Sequence, residues 1–417
     1  GPISANIFDP RIFHWKVASK LQYGPHSIGF LPLICKMQEN YRGLLIYYIC
    51  EPILSDPIYS MSRKVRVAIA GIGNCASALI QGIHYYAAHG SDAVGLTAYS
   101  LGGIVPGDIE FVAAFDVTEG KVGKDLSEAI FAEPNNTPTI IDGLDKLDVR
   151  VEKGSVLDGL GKHYLEKVKV SDAPDADVAG ILKDSGAEIL LNYLPVGSRL
   201  ATQFYAEQCL GTRQVSFINA IPVFIASAAK WQQSFEGRGL VCAGDDVMSQ
   251  LGATVVHKSL VKLFVDRGVK IDDTYQLNVG GDMDFYNMLD EDRLEDKRIS
   301  KTSAVQAMSP YPIPTRIGPS DYVGFLNNDK ICYLSIRGKY FGKIPVELDL
   351  KLKVVDAYNS AGVMIDAIRG AKLGMDRNLS GPLESVSAYC FKHPPVQMHY
   401  LEAKEKFLEF VEGKRER

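Results

Sequence analysis

The chain has 417 residues, 46% of them hydrophobic and 23% charged, with a formal net charge of −5 and a pI near 6.0. That is enough for two domains of ~150 residues, and the acidic balance argues against a nucleic-acid partner, whose electrostatic footprint is basic. Seven scattered cysteines with no Cys-x-x-Cys pair argue against a disulfide framework or zinc site and for a reducing, cytoplasmic setting, and no run approaches the ~18 apolar residues of a membrane span.

Residues 1–60 show neither strand nor helix periodicity. Gly1-Pro2 reads as a scar of tag cleavage, and Met61-Ser62-Arg63-Lys64 stands directly before the first strong strand. We expect 1–60 to be an extension with Met61 as the natural start; the competing reading is an N-terminal strap that packs on the core.

From residue 61 to about 253 strand-like and helical runs alternate. Strands are predicted at 65–70, 110–115, 188–192, 215–219 and 240–243, with helices such as 75–88 and 200–209 between them. This alternation predicts a Rossmann-type doubly wound parallel sheet of the α/β class. From about 254 to 372 the texture changes. Longer alternating runs at 331–337 and 346–355 predict an antiparallel sheet in a second, α+β domain, closed by an apolar helix at 361–372. Residues 373–417 are expected to pack back on the first domain.

The first strand runs into Gly71-x-Gly73-x-x-Ala76. Gly71 permits a tight turn, Gly73 lets the backbone approach a pyrophosphate, Ala76 lets the helix pack closely, and the helix N-terminus favours the anion. Ser77 adds a hydroxyl. Asp116 ends the second strand, where a carboxylate binds ribose hydroxyls and repels the extra phosphate of NADP. It lies about twice as far on as the usual ~20 residues, a gap explained by the glycine-rich insertion at 91–107.

Loops at Asn192-Tyr193-Leu194-Pro195-Val196-Gly197 and Asn219-Ala220-Ile221-Pro222 follow strands, where a parallel sheet places its ligand crevice; routine loop punctuation is the plainer reading. Asp245 and Asp246 either handle protons or a cation, or cap the following helix. Lys297 and Lys301 share a helix face, which is unfavourable unless an anion lies between them; a solvated charged face is the alternative. Lys330, Lys392 and Asp356 carry no signal by themselves.

Taken together, Gly71 to Ser77, Pro134-Asn135-Asn136-Thr137, Tyr193 to Ser198, Gly244-Asp245-Asp246, Asn278 to Phe285, Lys297 to Lys301, Gly318-Pro319-Ser320-Asp321, Asn359-Ser360-Ala361-Gly362 and Ser387-Ala388-Tyr389 resemble the myo-inositol-1-phosphate synthase family, particularly its bacterial and archaeal branch. The stretches run in the family's order and leave only 1–60 uncovered. The resemblance implies an NAD-dependent, redox-neutral isomerase acting on glucose 6-phosphate in inositol and inositol-phospholipid biosynthesis. It implies a homotetramer, and leaves open whether a divalent metal or monovalent cation assists.

The resemblance further implies which residues act. Lys297, Lys301, Lys330 and Lys392 match the active-site lysines, with Lys297 as proton shuttle and oxyanion partner. Asp284, Asp356 and one of Asp245 and Asp246 are the matching carboxylates, and Ser320 is a weaker candidate. The cofactor is expected on Gly71, Gly73, Asn74, Cys75, Ala76, Ser77, Asp116, Asn136, Thr137, Asn192, Pro195, Gly197 and Asp246. Two residues depart from the family: Asp282 stands where it has Asn, adding negative charge or favouring a metal, and Met248 stands where a lysine is usual. A dehydrogenase that releases NADH, a nucleotide-sensing regulator and a family member disabled by those two changes are the competing readings. Expressed from Met61, the chain is expected to keep its fold and activity, as thermal melting and a turnover assay would show.

Overall fold

The computed structural model describes residues 64–90 and 93–417. The expected extension at 1–60 and the Met61 start lie outside the described residues. In chain order come β1 (Val65–Ala70), α1 (Asn74–His89), β2 (Ile109–Asp116), α2 (Leu126–Ala129), β3 (Val151–Lys153), α3 (Val178–Asp184), β4 (Ile189–Asn192) and α4 (Arg199–Thr212). There follow β5 (Ser216–Asn219), α5 (Ala229–Glu236), β6 (Val241–Ala243), α6 (Ala253–Asp266), β7 (Lys270–Gly280), α7 (Met283–Asn287), α8 (Glu295–Gln306) and β8 (Thr315–Tyr322). The chain ends with β9 (Asp329–Lys339), β10 (Pro345–Val355), α9 (Asp356–Asp376), β11 (Gly381–Pro382), α10 (Glu384–Cys390) and α11 (Tyr400–Val411).

Seven strands form one parallel sheet in the order β11-β6-β5-β4-β1-β2-β3. The residues of β1 show why it is central. Val65, Val67 and Ile69 point into one apolar cluster with α1 and α9, while Ala68 and Ala70 point into a second with α3, α4 and α5. Both faces are covered, as a parallel sheet requires. The chain winds outward from β1 to β3, then crosses to β4 on the other side. That reversal leaves a crevice at the carboxyl ends of β1 and β4, the place where such sheets bind ligands.

The second sheet runs β10-β9-β7-β8. β9 lies antiparallel to both β7 and β10, and each of these three strands spans eleven residues. Its inner face puts Cys332, Leu334 and Ile336 against Val261 and Phe264 of α6 and Val305 of α8. Its outer face leaves Tyr275, Leu277 and Tyr333 exposed. β8 pairs parallel to β7 and was not expected from the sequence, because Gly318 and Pro319 break its pattern. A strand at a sheet edge tolerates both residues.

The return to the first sheet begins earlier than the expected boundary at 372. Helix α9 starts at Asp356, and its apolar residues Ala361, Met364, Ile365 and Ile368 join the cluster that covers β1. Val346, Leu348 and Leu352 of β10 stay with the second sheet. β11 then pairs with β6, and Phe407 and Phe410 of α11 close the same cluster.

One buried charge ties the glycine-rich insertion to this core. Arg369 of α9 is fully buried and donates to the carbonyls of Ala98 (3.0 Å), Tyr99 (2.8 Å) and Ile104 (3.3 Å) and to Asp366 (2.5 Å). Removing one member of a buried pair strands the other. Arg369→Leu is therefore expected to lose about 3–5 kcal/mol of stability, measured by urea unfolding.

Candidate active site

Both sheets end at one cavity. The parallel sheet contributes the turn after β1 (Gly73, Asn74, Cys75, Ala76), the loop after β4 (Tyr193 to Val196), the loop after β5 (Ala220 to Pro222) and Asp246 with Val247 after β6. The second sheet contributes Gln276 and Asn278 near the end of β7, then Asp282 and Asp284. Lys297 and Lys301 project from α8, Lys330 from β9, Asp356 from the start of α9, and Lys392 from the segment after α10.

Each lysine but one is tied to a carboxylate. Lys297 Nζ lies 2.7 Å from Asp284 Oδ2, Lys330 Nζ lies 3.1 and 3.3 Å from the two oxygens of Asp356, and Lys392 Nζ lies 2.8 Å from Asp246 Oδ1. The second oxygen of Asp246 accepts from Ser300 Oγ at 2.7 Å. Lys301 has no ion pair or hydrogen bond among the described residues.

The charges follow from this pairing. Burial pushes the Lys301 ammonium down to about 7, and the neighbouring Lys297, Lys330 and Lys392 add to the push. Burial also acts against charge on Lys330, but Asp356, with Asp282 and Asp284 behind it, holds that lysine well above its usual value. At Asp284 burial favours the neutral acid, and Lys297 overrides it and keeps the carboxyl below its usual range.

Lys392 reaches Asp246 from far along the chain because the backbone after α10 pairs with the loop after β6. His393 and Asp245 exchange both backbone hydrogen bonds at 3.0 Å, Lys392 N donates to Asp246 O at 2.7 Å, and Met248 N donates to Cys390 O at 2.8 Å.

The turn after β1 suits a dinucleotide phosphate. Gly71 has φ +92°, and a Cβ there would meet Tyr193 O at 2.5 Å. A Cβ at Gly73 would meet nothing within 4 Å, so this residue faces open space at the unfilled N-terminus of α1, which has no side-chain cap. A second cavity, lined by Gly71, Gly73, Asp116, Thr118, Lys121 and Ser155, continues from the turn. Asp116 accepts from the backbone N–H groups of Ile72 (2.8 Å), Val117 (2.7 Å) and Thr118 (2.8 Å), which leaves part of its acceptor capacity for ribose hydroxyls.

A family model described as myo-inositol-1-phosphate synthase matches residues 252–357. The inositol-3-phosphate synthases of Mycolicibacterium smegmatis and of Mycobacterium tuberculosis (strain H37Rv) are each 48% identical to this chain. The first alignment covers 84% of this chain and 98% of the relative, the second 86% and 99%. The chain belongs to the myo-inositol-1-phosphate synthase family. It is an isomerase of the intramolecular-lyase class. Among solved structures, that of Ari2 is 33% identical with a TM-score of 0.67, covering 84% of this chain and 99% of its own. A synthase-related protein from Thermotoga maritima is similar in fold, with a TM-score of 0.73 at 24% identity, covering 84% and 98%.

Of the residues the family resemblance singled out, Gly73, Asn74, Cys75, Ala76, Pro195, Asp246, Asp284, Lys297, Lys301, Lys330, Asp356 and Lys392 line the first cavity. Gly71 and Asp116 line the second, and Ser320 lines a neighbouring space that shares Lys297 and Lys301.

Others are placed differently. Asp245 is fully buried and faces away: its carboxylate accepts from the N–H groups of Ile225, Ala226 and Ser227, from Ser227 Oγ and from Asn219 Nδ2. Burial pushes it up to about 6, and those five donors keep it ionised at pH 7. It shapes the loop after β5 and has no place to handle substrate protons. Asn136 and Thr137 brace Asn74 instead of facing the cavity: Asn136 N donates to Asn74 Oδ1 at 2.9 Å and Thr137 Oγ1 to Asn74 O at 3.0 Å. Asn192 is fully buried, pinned to Thr202 and Asn219; Ser77 is fully buried beside Gln81; and Gly197 packs on Arg293.

Of the two departures that the resemblance singled out, Met248 is 4% exposed and does not line the cavity. Asp282 caps α7 by accepting from Phe285 N at 3.0 Å. Burial, with Asp356 and Asp284 close by, pushes its carboxyl well above the usual carboxylate range, toward the neutral form. Among the described residues no group of three or more His, Cys, Asp and Glu is arranged to hold a metal ion. Ser300 was missed by the sequence reading, although Lys297, Ser300 and Lys301 at i, i+3 and i+4 share one helix face. Tyr164, which lines both cavities, left no trace in the sequence pattern.

Gly71→Ala is expected to lower thermal stability by about 1–3 kcal/mol, because the left-handed dihedral and the contact with Tyr193 O both oppose a Cβ. Calorimetric melting measures the loss.

Proposed function

We propose that the protein converts D-glucose 6-phosphate to myo-inositol 1-phosphate by an NAD-dependent, redox-neutral cyclisation. The reading is carried by one arrangement: three lysine–aspartate pairs and one unpaired lysine beside the glycine turn of a dinucleotide-type sheet. NAD fits the turn at Gly71 and Gly73 and the carboxylate of Asp116. When bound, it would supply a hydride acceptor for C5 of the sugar and return the same hydride at the end, with no net oxidation.

The residues of the chain supply the proton and charge chemistry in between. With C5 as a ketone, the proton on C6 becomes acidic and its loss puts negative charge on the C5 oxygen. Lys301 Nζ is suited to take that proton, since about half of it is the free amine near pH 7. This differs from the expectation that Lys297 is the shuttle. Lys297, held by Asp284, is suited to remain a cation at the oxyanion. C6 then attacks C1, and the new alkoxide at C1 takes a proton from a lysine ammonium. Lys330 and Lys392, each oriented by its aspartate, offset the phosphate and alkoxide charge. Asp284, Asp356 and Asp246 are each engaged with a lysine.

The same reading includes a cytoplasmic setting, consistent with the five described cysteines all being free thiols, and a role early in inositol and phospholipid synthesis. No described helix is long and apolar enough to cross a membrane. We further propose a homotetramer joined in part through the outer face of the second sheet, where Tyr275, Leu277 and Tyr333 are exposed; size-exclusion chromatography with light scattering tests it.

The decisive assay supplies NAD and glucose 6-phosphate and follows inositol phosphate together with absorbance at ~340 nm, the nicotinamide band. Product without accumulating NADH is expected; NADH rising in step with sugar consumed would mean a releasing dehydrogenase. Lys297→Ala is expected to abolish turnover while NAD still binds. Because Lys301 acts as the free amine, kcat/KM is expected to rise as pH increases through about 7 and then level. The rise should persist in Asp282→Asn, which removes the other group titrating there, and Lys301→Arg, which never loses its charge, should be inactive throughout.

A further inference from the structure

The inner face of β7 is not apolar along its length. Thr274, Gln276 and Asn278 occupy alternate positions on it and are 3%, 1% and 4% exposed. Fully buried His257 of α6 lies against them. Buried polar groups are costly unless bonded, so four together on one face need a reason.

They form a chain. Thr274 Oγ1 lies 2.6 Å from Ser335 O, His257 Nε2 lies 2.8 Å from Thr274 Oγ1, and His257 Nδ1 lies 3.3 Å from Gln276 Oε1. Gln276 Nε2 lies 3.0 Å from Asn278 Oδ1. Asn278 Nδ2 is buried with no partner among the described residues, and Gln276 and Asn278 both line the cavity that holds the lysines.

The Thr274 hydroxyl donates to Ser335 O, and burial holds His257 neutral, with its pKa pushed down to about 4. Gln276 Nε2 donates to Asn278 Oδ1, which fixes the plane of that amide and leaves Asn278 Nδ2, an N–H donor, as the outer, unpartnered group.

We propose that His257 is a positioning residue: through Gln276 it fixes the amide of Asn278 beside the cavity, where Asn278 Nδ2 donates a hydrogen bond to an oxygen of the bound sugar phosphate. The proposal rests on the sugar-phosphate reading above. It gives the sheet-facing side of α6 a part in binding. It also explains a buried histidine that makes no contact with the lysines.

A double-mutant cycle tests it on the NAD-loaded protein, with kcat/KM for conversion of glucose 6-phosphate and Kd for its binding by calorimetry as parallel readouts. Asn278→Ala and His257→Leu are each expected to weaken both quantities about tenfold, the effect of one buried hydrogen bond. If His257 acts through Asn278, the double variant is no worse than Asn278→Ala. His257→Asn, which restores a polar group at the Nδ1 position, should recover most of the loss. If His257→Leu does not fold, Gln276→Met breaks the chain at its middle with little change in volume and replaces it in the cycle. Losses that multiply to about a hundredfold, or a His257→Leu protein with wild-type kinetics, overturn the proposal while leaving the synthase reading intact. A wild-type protein that neither binds nor converts glucose 6-phosphate overturns both.

Discussion

Four ammonium groups in one cavity repel each other, and the site depends on how that repulsion is relieved. Asp284, Asp356 and Asp246 each take one lysine, at 2.7, 3.1 and 2.8 Å. The fourth, Lys301, has no such partner and carries the consequence: burial and the three neighbouring cations make it the easiest lysine to deprotonate. A set of four paired lysines would give a cavity of fixed charge with no base. A set of four unpaired ones would not stay charged in a buried site. The three-plus-one arrangement gives both an anion-binding field and a proton acceptor from one residue type.

The partners in each pair come from different parts of the chain, so the pairing also fixes the architecture. Lys330 is the second residue of β9 and Asp356 the first of α9, so an inner strand of the second sheet is tied to the helix that returns to the first. Lys392 meets Asp246 through backbone pairing between the C-terminal segment and the loop after β6. The return of α9 to cover β1 closes the circuit, because it brings the end of the second sheet to the carboxyl edge of the first. The glycine turn after β1 and the lysines therefore line one cavity.

Polar side chains away from the lysines do the positioning. Asp245 gathers five donors to shape the loop after β5, Asn136 and Thr137 hold Asn74, and Ser300 takes the second oxygen of Asp246. Asp245 lies next to Asp246 in sequence, which is why a sequence reading draws it into the site. Neighbouring positions in a loop point in different directions, and only one of Asp245 and Asp246 can face the cavity. The same geometry buries the Met248 side chain away from the cavity and recasts Asp282 as a carboxyl whose buried place beside two other acids favours the neutral form.

The sequence by itself determined the local, periodic features. Strand β1 and its glycine turn were legible because alternating apolar residues followed by Gly71 and Gly73 leave few other conformations, and the parallel sheet followed from the alternation of strands and helices. The motif stretches carried the family and, with it, the lysines. What only the tertiary structure decided were relations between distant residues: that Lys301 is the unpaired lysine, that Asp245 turns inward, that α9 returns at Asp356, and that His257 reaches Asn278 through Gln276. The reason is physical. Propensity and periodicity act over a few residues, whereas a pKa or a hydrogen-bond direction is set by whatever the fold brings within a few ångströms, and those neighbours here lie on different strands and helices, some more than a hundred positions apart.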